Sequence, residues 1–494
     1  MVSRVEDGRL VMGGSLKCKK GEFVVNDYTV AIIGGGPGGY ETAIRLNQLG
    51  ISVICFEKER LGGVCLNKGC IPTKALVKVA ELYTEMKHAD EFGLQNFDFE
   101  INYQKIFNRK SEVVEKLVSG IEFLFHKRGI KLEKQTIQKI EKKEQRYHLY
   151  SSGELCCISD YVIIATGSEP KELSFLKFDN QNILSSDHVL SMCQLPKSIT
   201  IIGGGVIGCE FASIFAQFGV NVNIVEYQSE IIPTEDEEIS KRLALALKKM
   251  GIKIFTNTSV EKTNKTENEI ELILSNGKKI TSEKVLVSVG RKPVFDIQTI
   301  GFDLHDDKGF IGVNDFCMTN VENIFAIGDI NGKLMLAHTA AKQGLLVAEY
   351  IFHKTKDQGD EHKMKLLPLK YENIPSCIFT NPEVASCGLT EKKAKESYKE
   401  IKTGKFPYVA NGKALGIGAI FGFVKTIINS ENDEIVGMHI IGHLATELVA
   451  QASILISTKA KVSDVANIVF AHPTISECIM ESVEDTHKMA IHLV

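Results

Sequence analysis

The 494-residue chain is short of net charge, of cysteine and of long apolar runs, and it has no tryptophan. Its 58 Lys and Arg stand against 62 Asp and Glu, which leaves −4, so no electrostatic footprint for nucleic acid or for an anionic membrane is present. No uninterrupted apolar stretch approaches the roughly 18–20 residues that cross a bilayer. Twelve cysteines without regular spacing exclude a secreted disulfide scaffold, no CxxC pair suggests zinc, and no metal site is expected. Residues 1–27 lack the apolar core of a signal peptide, and Glu6 and Asp7 argue against an acid-poor transit peptide. A reducing compartment is therefore expected, the cytoplasm first and an organelle matrix second. What the chain does have is 44% hydrophobic and 24% charged residues, the balance of a soluble globular protein, and length for about three or four domains.

Glycine is plentiful, and much of it is patterned. The β-branched run Tyr28-Thr-Val-Ala-Ile-Ile33 leads into Gly34-Gly-Gly36-Pro-Gly-Gly39 and then into helix-forming residues up to Gly50; a second strand over 52–56 ends at Glu57. In such a strand–turn–helix unit the first glycine permits the tight turn and the second lets a pyrophosphate approach the backbone. The third lets helix and strand pack closely, and the terminal carboxylate can accept hydrogen bonds from a ribose diol. The pattern recurs as Gly203-Gly-Gly205-Val-Ile-Gly208 with Glu226 at the end of its second strand. Both copies have the same spacing, since 203 − 34 and 226 − 57 are each 169. Two such units in one chain point to electron transfer between two bound dinucleotides, with FAD and a nicotinamide as the pairing. Further strands end at Thr166-Gly167-Ser168, at Gly290 and at Asp329, where ligands bind in open α/β sheets.

Between the first unit and the next helix lies Leu61-Gly-Gly-Val-Cys65-Leu-Asn-Lys-Gly-Cys70-Ile-Pro-Thr-Lys74. On a regular helix, residues five apart have Cα atoms beyond the roughly 7 Å reach of a disulfide. The spacing therefore predicts Cys65 on an irregular turn before the helix, with Gly62, Gly63 and Gly69 supplying the irregularity. A strained disulfide at a helix start is easily reduced, and the helix N-terminus favours thiolates, so the pair reads as catalytic rather than structural. The vicinal Cys156-Cys157 lies beside Ser151-Ser-Gly153, in an expected hairpin, and is incidental.

The segment 62–76, Met335-Leu-Ala-His338, the stretch Ile374–Thr390 and His472-Pro-Thr-Ile-Ser-Glu477 together resemble the pyridine nucleotide-disulfide oxidoreductases from about residue 28 to 482. The resemblance implies an α/β fold with two Rossmann-like FAD/NAD(P)-binding domains and a C-terminal α+β interface domain that forms a homodimer. It implies one tightly bound FAD per subunit. Gly34, Gly36, Gly39, Glu57, Gly63 and Lys74 would contact that FAD, joined by Thr166, Gly167, Ser168, Asp329 and the run Met335, Leu336, Ala337 and His338. For the nicotinamide dinucleotide it implies Gly203, Gly205, Val206, Ile207 and Gly208, with Glu210, Glu226, Val260 and Gly290. By the same resemblance Cys65 is the interchange thiol and Cys70 the charge-transfer thiol. Lys74 pairs with Glu210 near flavin N5, and His472, oriented by Glu477, is the acid/base that enters the partner subunit's site.

Within that family the chain resembles the branch that oxidises dihydrolipoamide with NAD+, and the resemblance implies a lipoyl-bearing acyltransferase or H-protein of 2-oxo acid dehydrogenase or glycine cleavage complexes as partner. Glu226 favours NAD, because its carboxylate suits a 2′-hydroxyl and repels a 2′-phosphate, and Tyr227, Gln228 and Ser229 follow it without an arginine. A reductase of another disulfide, glutathione above all, is the nearer alternative. A flavoprotein acting as a scaffold or adhesin is the more distant one. The ending His492-Leu-Val494 lacks the cysteine pair of the mercury-reducing branch. Val64 and Lys68 depart from the family pattern and bear on the disulfide's potential. The expected division is an FAD domain over 1–172, an NAD domain over 173–295, a central segment over 296–366 returning to the flavin, and an interface domain over 367–494. A polar surface excursion over 353–365 marks its edge.

Overall fold

The computed structural model describes residues 25–95, 99–266, 269–295, 301–355 and 367–493. Most of the 1–27 leader and of the 353–365 excursion lies outside them. The described residues fall into two compact units. One combines the chain up to Pro72 with Ser111–Glu169 and Arg291–Leu369; the other combines Thr73–Lys110, Pro170–Gly290 and Lys370 onward.

In the first unit the strands Asn26–Ile33, Val53–Phe56, Lys131–Glu133 and Ile324–Ala326 run parallel with Glu154–Ile164 in one sheet. They are short continuous apolar runs because both faces of the sheet are covered; Val30, Ala31 and Ile32 are fully buried. Register puts Ile33 beside Phe56 and Ile164, and Ile164 beside Ala326. The residues that follow these four therefore emerge from one edge of the sheet. The antiparallel strands Lys139–Lys143 and Arg146–Ser151 extend it, and Cys156 and Cys157 lie on the hairpin partner Glu154–Ile164, with Cys157 buried.

The second unit repeats the design with Lys253–Phe255, Asn221–Val225, Ser198–Ile202, Lys284–Val287 and Ile183–Leu184, in that order and all parallel. Ile202 pairs with Val225 and Val287, so the second glycine turn, Glu226 and Gly290 follow a common row of strand ends. A five-stranded antiparallel sheet, ordered Ser376–Ile378, Val384–Gly388, Ile435–Ile441, Phe423–Asn429 and Ile401–Pro407, packs under the helices Ala445–Ser457 and Glu477–Glu484. This is the expected α/β architecture followed by an α+β domain.

A lysine is buried within the strands of that last sheet. Lys425 is 2% exposed, and its Nζ lies 2.9 Å from Asp236, 2.9 Å from Glu238 and 2.6 Å from Glu391. Burial raises the Asp236 carboxyl, but the Glu391 N–H, His439 and Lys425 outweigh it and hold it below the ordinary carboxylate range; Lys395 and Lys425 do the same for Glu391. Lys425→Met is expected to cost about 3–5 kcal/mol, because it strands the buried Asp236 carboxylate. Carboxyls with lowered values stabilise fully above the ordinary range near pH 4 and lose that contribution as pH falls through the lowered values. Urea midpoints of variant and wild type should differ at pH 7 and converge in acid; equal midpoints at pH 7 would contradict this.

Candidate active site

The two glycine turns are alike in detail. Gly34 and Gly203 have φ of 110° and 107°, a region closed to most L side chains. A Cβ on Gly39 would meet the Gly34 carbonyl at 1.8 Å, and one on Gly208 the Gly203 carbonyl at 2.0 Å, so the third glycine of each turn is needed for helix and strand to touch. At the second glycine a Cβ on Gly36 would have only Gly63 Cα as a neighbour, at 3.8 Å, and one on Gly205 nothing within 4 Å. The helices Pro37–Gln48 and Val206–Gln217 begin directly after these open positions, with Val206, Ile207 and Gly208 in the first turn of the second. Unpaired amides at a helix start beside open backbone are a receptacle for a pyrophosphate.

Each turn is braced by its glutamate. Glu57 accepts from the Gly35 N–H at 2.7 Å and the Glu59 N–H at 2.7 Å. Glu226 accepts from Gly204 at 2.5 Å and Gln228 at 2.7 Å. A carboxylate oxygen has two lone pairs, so both keep capacity for a ribose hydroxyl. Beside Glu226, Tyr227 is exposed. Val260 begins a separate antiparallel strand, and its side chain lies in the core.

At the edge of the first sheet, Ser168 Oγ donates to Asp329 at 2.5 Å and accepts from Arg291 Nε at 2.7 Å, while Arg291 also donates to the Ser168 carbonyl at 2.7 Å. Thr166 Oγ1 and Thr339 Oγ1 are buried without a hydrogen-bond partner, as polar atoms are at a ligand's wall. Thr339 follows Met335–His338 into the helix Ala337–Thr355, which packs so closely on Pro37–Gln48 that a Cβ on Gly344 would stand 1.9 Å from Thr42 Oγ1. Gly167 has φ of 74° and open space around it. The open glycine, the two orphaned hydroxyls and the Asp329 carboxylate fit a flavin dinucleotide.

The cysteine segment differs from expectation. Cys65 lies inside a short helix, Gly63–Lys68, rather than on an irregular turn; the break comes after it, at Gly69, and Cys70 opens the helix Cys70–Lys87. A Cβ at Gly69 would lie 2.9 Å from the Val64 carbonyl and 3.2 Å from Cys65 Cα, so glycine lets the chain fold back on Cys65. Two helices meeting at a glycine satisfy the same spacing constraint as an irregular turn. Gly63 serves the other side, because its Cβ would stand 2.6 Å from Gly36 Cα. Cys65 is half-buried and Cys70 exposed. Lys68 pairs with Glu59 at 2.5 Å, so its charge is neutralised at the surface.

Lys74 Nζ lies 3.0 Å from both carboxylate oxygens of Glu210. His472 Nδ1 lies 2.9 Å from Glu477 Oε1, and Glu477 Oε2 accepts the Thr474 N–H at 2.8 Å. Burial pushes the Glu477 carboxyl up, but the Thr474 N–H and His472 outweigh it and hold it below the ordinary range. A carboxylate fixed on Nδ1 leaves Nε2 to handle a proton, and the His472 ring is exposed. Arg291, Thr339 and Phe379 are functional candidates that sequence reasoning missed. Arg291 and Phe379 gain their places from partners distant in the chain, and Thr339 is marked only by its orphaned, buried hydroxyl.

The pyridine nucleotide-disulphide oxidoreductase model matches residues 28–344, and the dimerisation-domain model of the same family matches 374–483. The dihydrolipoyl dehydrogenase of Bacillus subtilis is 39% identical over 485 residues, covering 95% of this chain and all of its own length. That of Zymomonas mobilis is 36% identical, with 95% and 100% covered. The crystal structure of LpdA from Mycobacterium tuberculosis has the same fold, with a TM-score of 0.83 at 22% identity over 92% of this chain and 99% of that one. Motif, geometry and near full-length similarity agree, and the chain belongs to the pyridine nucleotide-disulphide oxidoreductase family.

Proposed function

We propose that the protein is a dihydrolipoyl dehydrogenase, oxidising protein-bound dihydrolipoamide with NAD+. The observation that carries this reading is the full-length similarity to dihydrolipoyl dehydrogenases, of which the chain covers the whole. In this reading residues 1–172 and the central segment 296–366 hold FAD, 173–295 hold NAD, and 367–494 join two subunits. A lipoyl-bearing acyltransferase or H-protein presents the substrate in a reducing compartment, the cytoplasm in the first instance.

A substrate thiolate attacks Cys65 Sγ, the Cys65–Cys70 bond breaks, and Cys70 leaves as a thiolate. The second substrate thiol closes on the substrate sulfur of the mixed disulfide, so lipoamide departs and Cys65 is reduced; His472 Nε2 takes up the thiol proton and Glu477 stabilises the resulting cation. FAD, when bound, carries the electron pair between the cysteines and NAD+. Lys74, held by its ion pair with Glu210, directs its ammonium to the flavin side. Glu226 selects NAD+ by accepting the 2′-hydroxyl and repelling a 2′-phosphate.

Turnover with dihydrolipoamide and NAD+ should exceed that with reduced glutathione and NADP+ by at least about 10²-fold, and the reverse order would reject the reading. Glu226→Gln should narrow the preference for NAD+ over NADP+ by roughly tenfold, the worth of one hydrogen bond to a charged acceptor. An unchanged ratio of kcat/KM values would remove Glu226 from nucleotide choice.

A further inference from the structure

The Lys74–Glu210 pair has a third member. Phe379 follows the strand Ser376–Ile378, and its backbone N–H donates to Glu210 Oε1 at 2.9 Å. Its ring lies under Lys74 Nζ, 4.2 Å from the ring centroid. Both ends of the ion pair therefore rest on one residue.

The segment that carries Phe379 is fastened along a helix face. Asn381 N donates to Ser213 Oγ at 2.9 Å, and Asn381 Nδ2 donates to Gln217 Oε1 at 3.2 Å. The acceptors Glu210, Ser213 and Gln217 recur at the spacing of one face of the helix Val206–Gln217. Gln217 Oε1 also accepts from Thr84 Oγ1 at 3.1 Å, and Thr84 shares the helix Cys70–Lys87 with Lys74. The helix bearing Lys74, the helix bearing Glu210 and the Phe379 segment are thus tied to one another at several points.

We propose that Phe379 is a positioning residue that fixes Lys74: the ring confines the ammonium from one side while the N–H confines its carboxylate partner from the other. The role rests on the proposed function above, in which Lys74 acts on the flavin side. Lysine has about 2 kcal/mol of rotamer entropy, and one carboxylate leaves its ammonium free to swing about the contact. A ring face at cation–π distance removes that freedom, and the attraction grows where water is excluded; Glu210 is 7% exposed and Lys74 29%. Leucine at this position keeps the backbone N–H and the apolar bulk and removes the ring face, so the ring's contribution can be isolated.

The test uses Phe379→Leu, Phe379→Tyr, Lys74→Met and the double variant Phe379→Leu/Lys74→Met. In the apoprotein, labelling of Lys74 by an amine-reactive reagent, read by mass spectrometry, should rise about 3–30-fold in Phe379→Leu and stay at the wild-type rate in Phe379→Tyr. In the holoenzyme, Phe379→Leu should lower kcat by a similar factor with KM for dihydrolipoamide within about twofold, and Phe379→Tyr should restore it. The double variant should be no slower than Lys74→Met alone, because the ring acts only through the lysine. Unchanged Lys74 labelling in Phe379→Leu, or kcat losses that multiply in the double variant, would overturn the proposal. A wild type that fails to oxidise dihydrolipoamide rejects the proposed function instead, and the labelling result still decides the role of Phe379.

Discussion

Cys65→Ser is expected to abolish dihydrolipoamide-dependent NAD+ reduction, by at least about 10³-fold, while NADH-to-dye transfer stays within a few-fold of wild type. Serine replaces a half-buried cysteine on the short helix Gly63–Lys68 with little change in shape, and Gly69 still stands against the Val64 and Cys65 backbone. What disappears is the sulfur that exchanges with the substrate, because a hydroxyl neither forms the disulfide nor offers a thiolate. The two dinucleotide turns, built on other residues, are untouched. Cys156→Ser is the matched control: Cys156 Sγ bonds the Leu149 carbonyl at 3.2 Å within a hairpin, and its loss should leave turnover unchanged. A Cys65→Ser enzyme that oxidised dihydrolipoamide at the wild-type rate would falsify the redox role of the pair.

His472→Gln is expected to slow the thiol half-reaction by about 10²–10⁴-fold, the usual worth of a positioned acid/base, with much smaller effect on NADH-to-dye transfer. Its partner sets the pH dependence. Glu477 is held below the ordinary carboxylate range by the Thr474 N–H and His472, against burial, so it is charged throughout the neutral range. A carboxyl with a lowered value keeps its effect above the ordinary range and loses it only as pH falls through that lowered value. Glu477→Gln should therefore lower kcat at neutral pH, by roughly 10–10²-fold, because the amide still accepts from Nδ1 but no longer stabilises the protonated ring. Equal losses of the thiol and dye reactions in His472→Gln would reject its proton role.

Much of this was legible before the structure, and for stated reasons. The glycines of both turns have local causes: Gly34 and Gly203 need positive φ, and Gly39 and Gly208 need the absence of a Cβ. Both requirements show in a strand–glycine–helix pattern repeated at a fixed offset. The pair of His472 and Glu477 was legible because five residues and one turn connect them. The place of Cys65 differs from the sequence expectation for a physical reason: the reach of a disulfide forbids one continuous helix but does not fix on which side of Cys65 the break falls, and it falls at Gly69. Arg291 on Ser168 and Phe379 on Lys74 and Glu210 were invisible, since these contacts depend on tertiary packing across more than a hundred residues of chain. Lys425 has no counterpart in the sequence expectations, and its three carboxylate partners explain how it stays buried.

The central claim is that electrons enter through Cys65 and Cys70 and through no other pair. It is tested most directly by alkylating the anaerobic holoenzyme under denaturing conditions, before and after one equivalent of dihydrolipoamide, and mapping the labelled cysteines by mass spectrometry. The account predicts that Cys65 and Cys70 alone gain label on reduction, while the other ten cysteines are labelled equally in both samples. Label gained at Cys156 and Cys157, or no gain at Cys65 and Cys70, would contradict it.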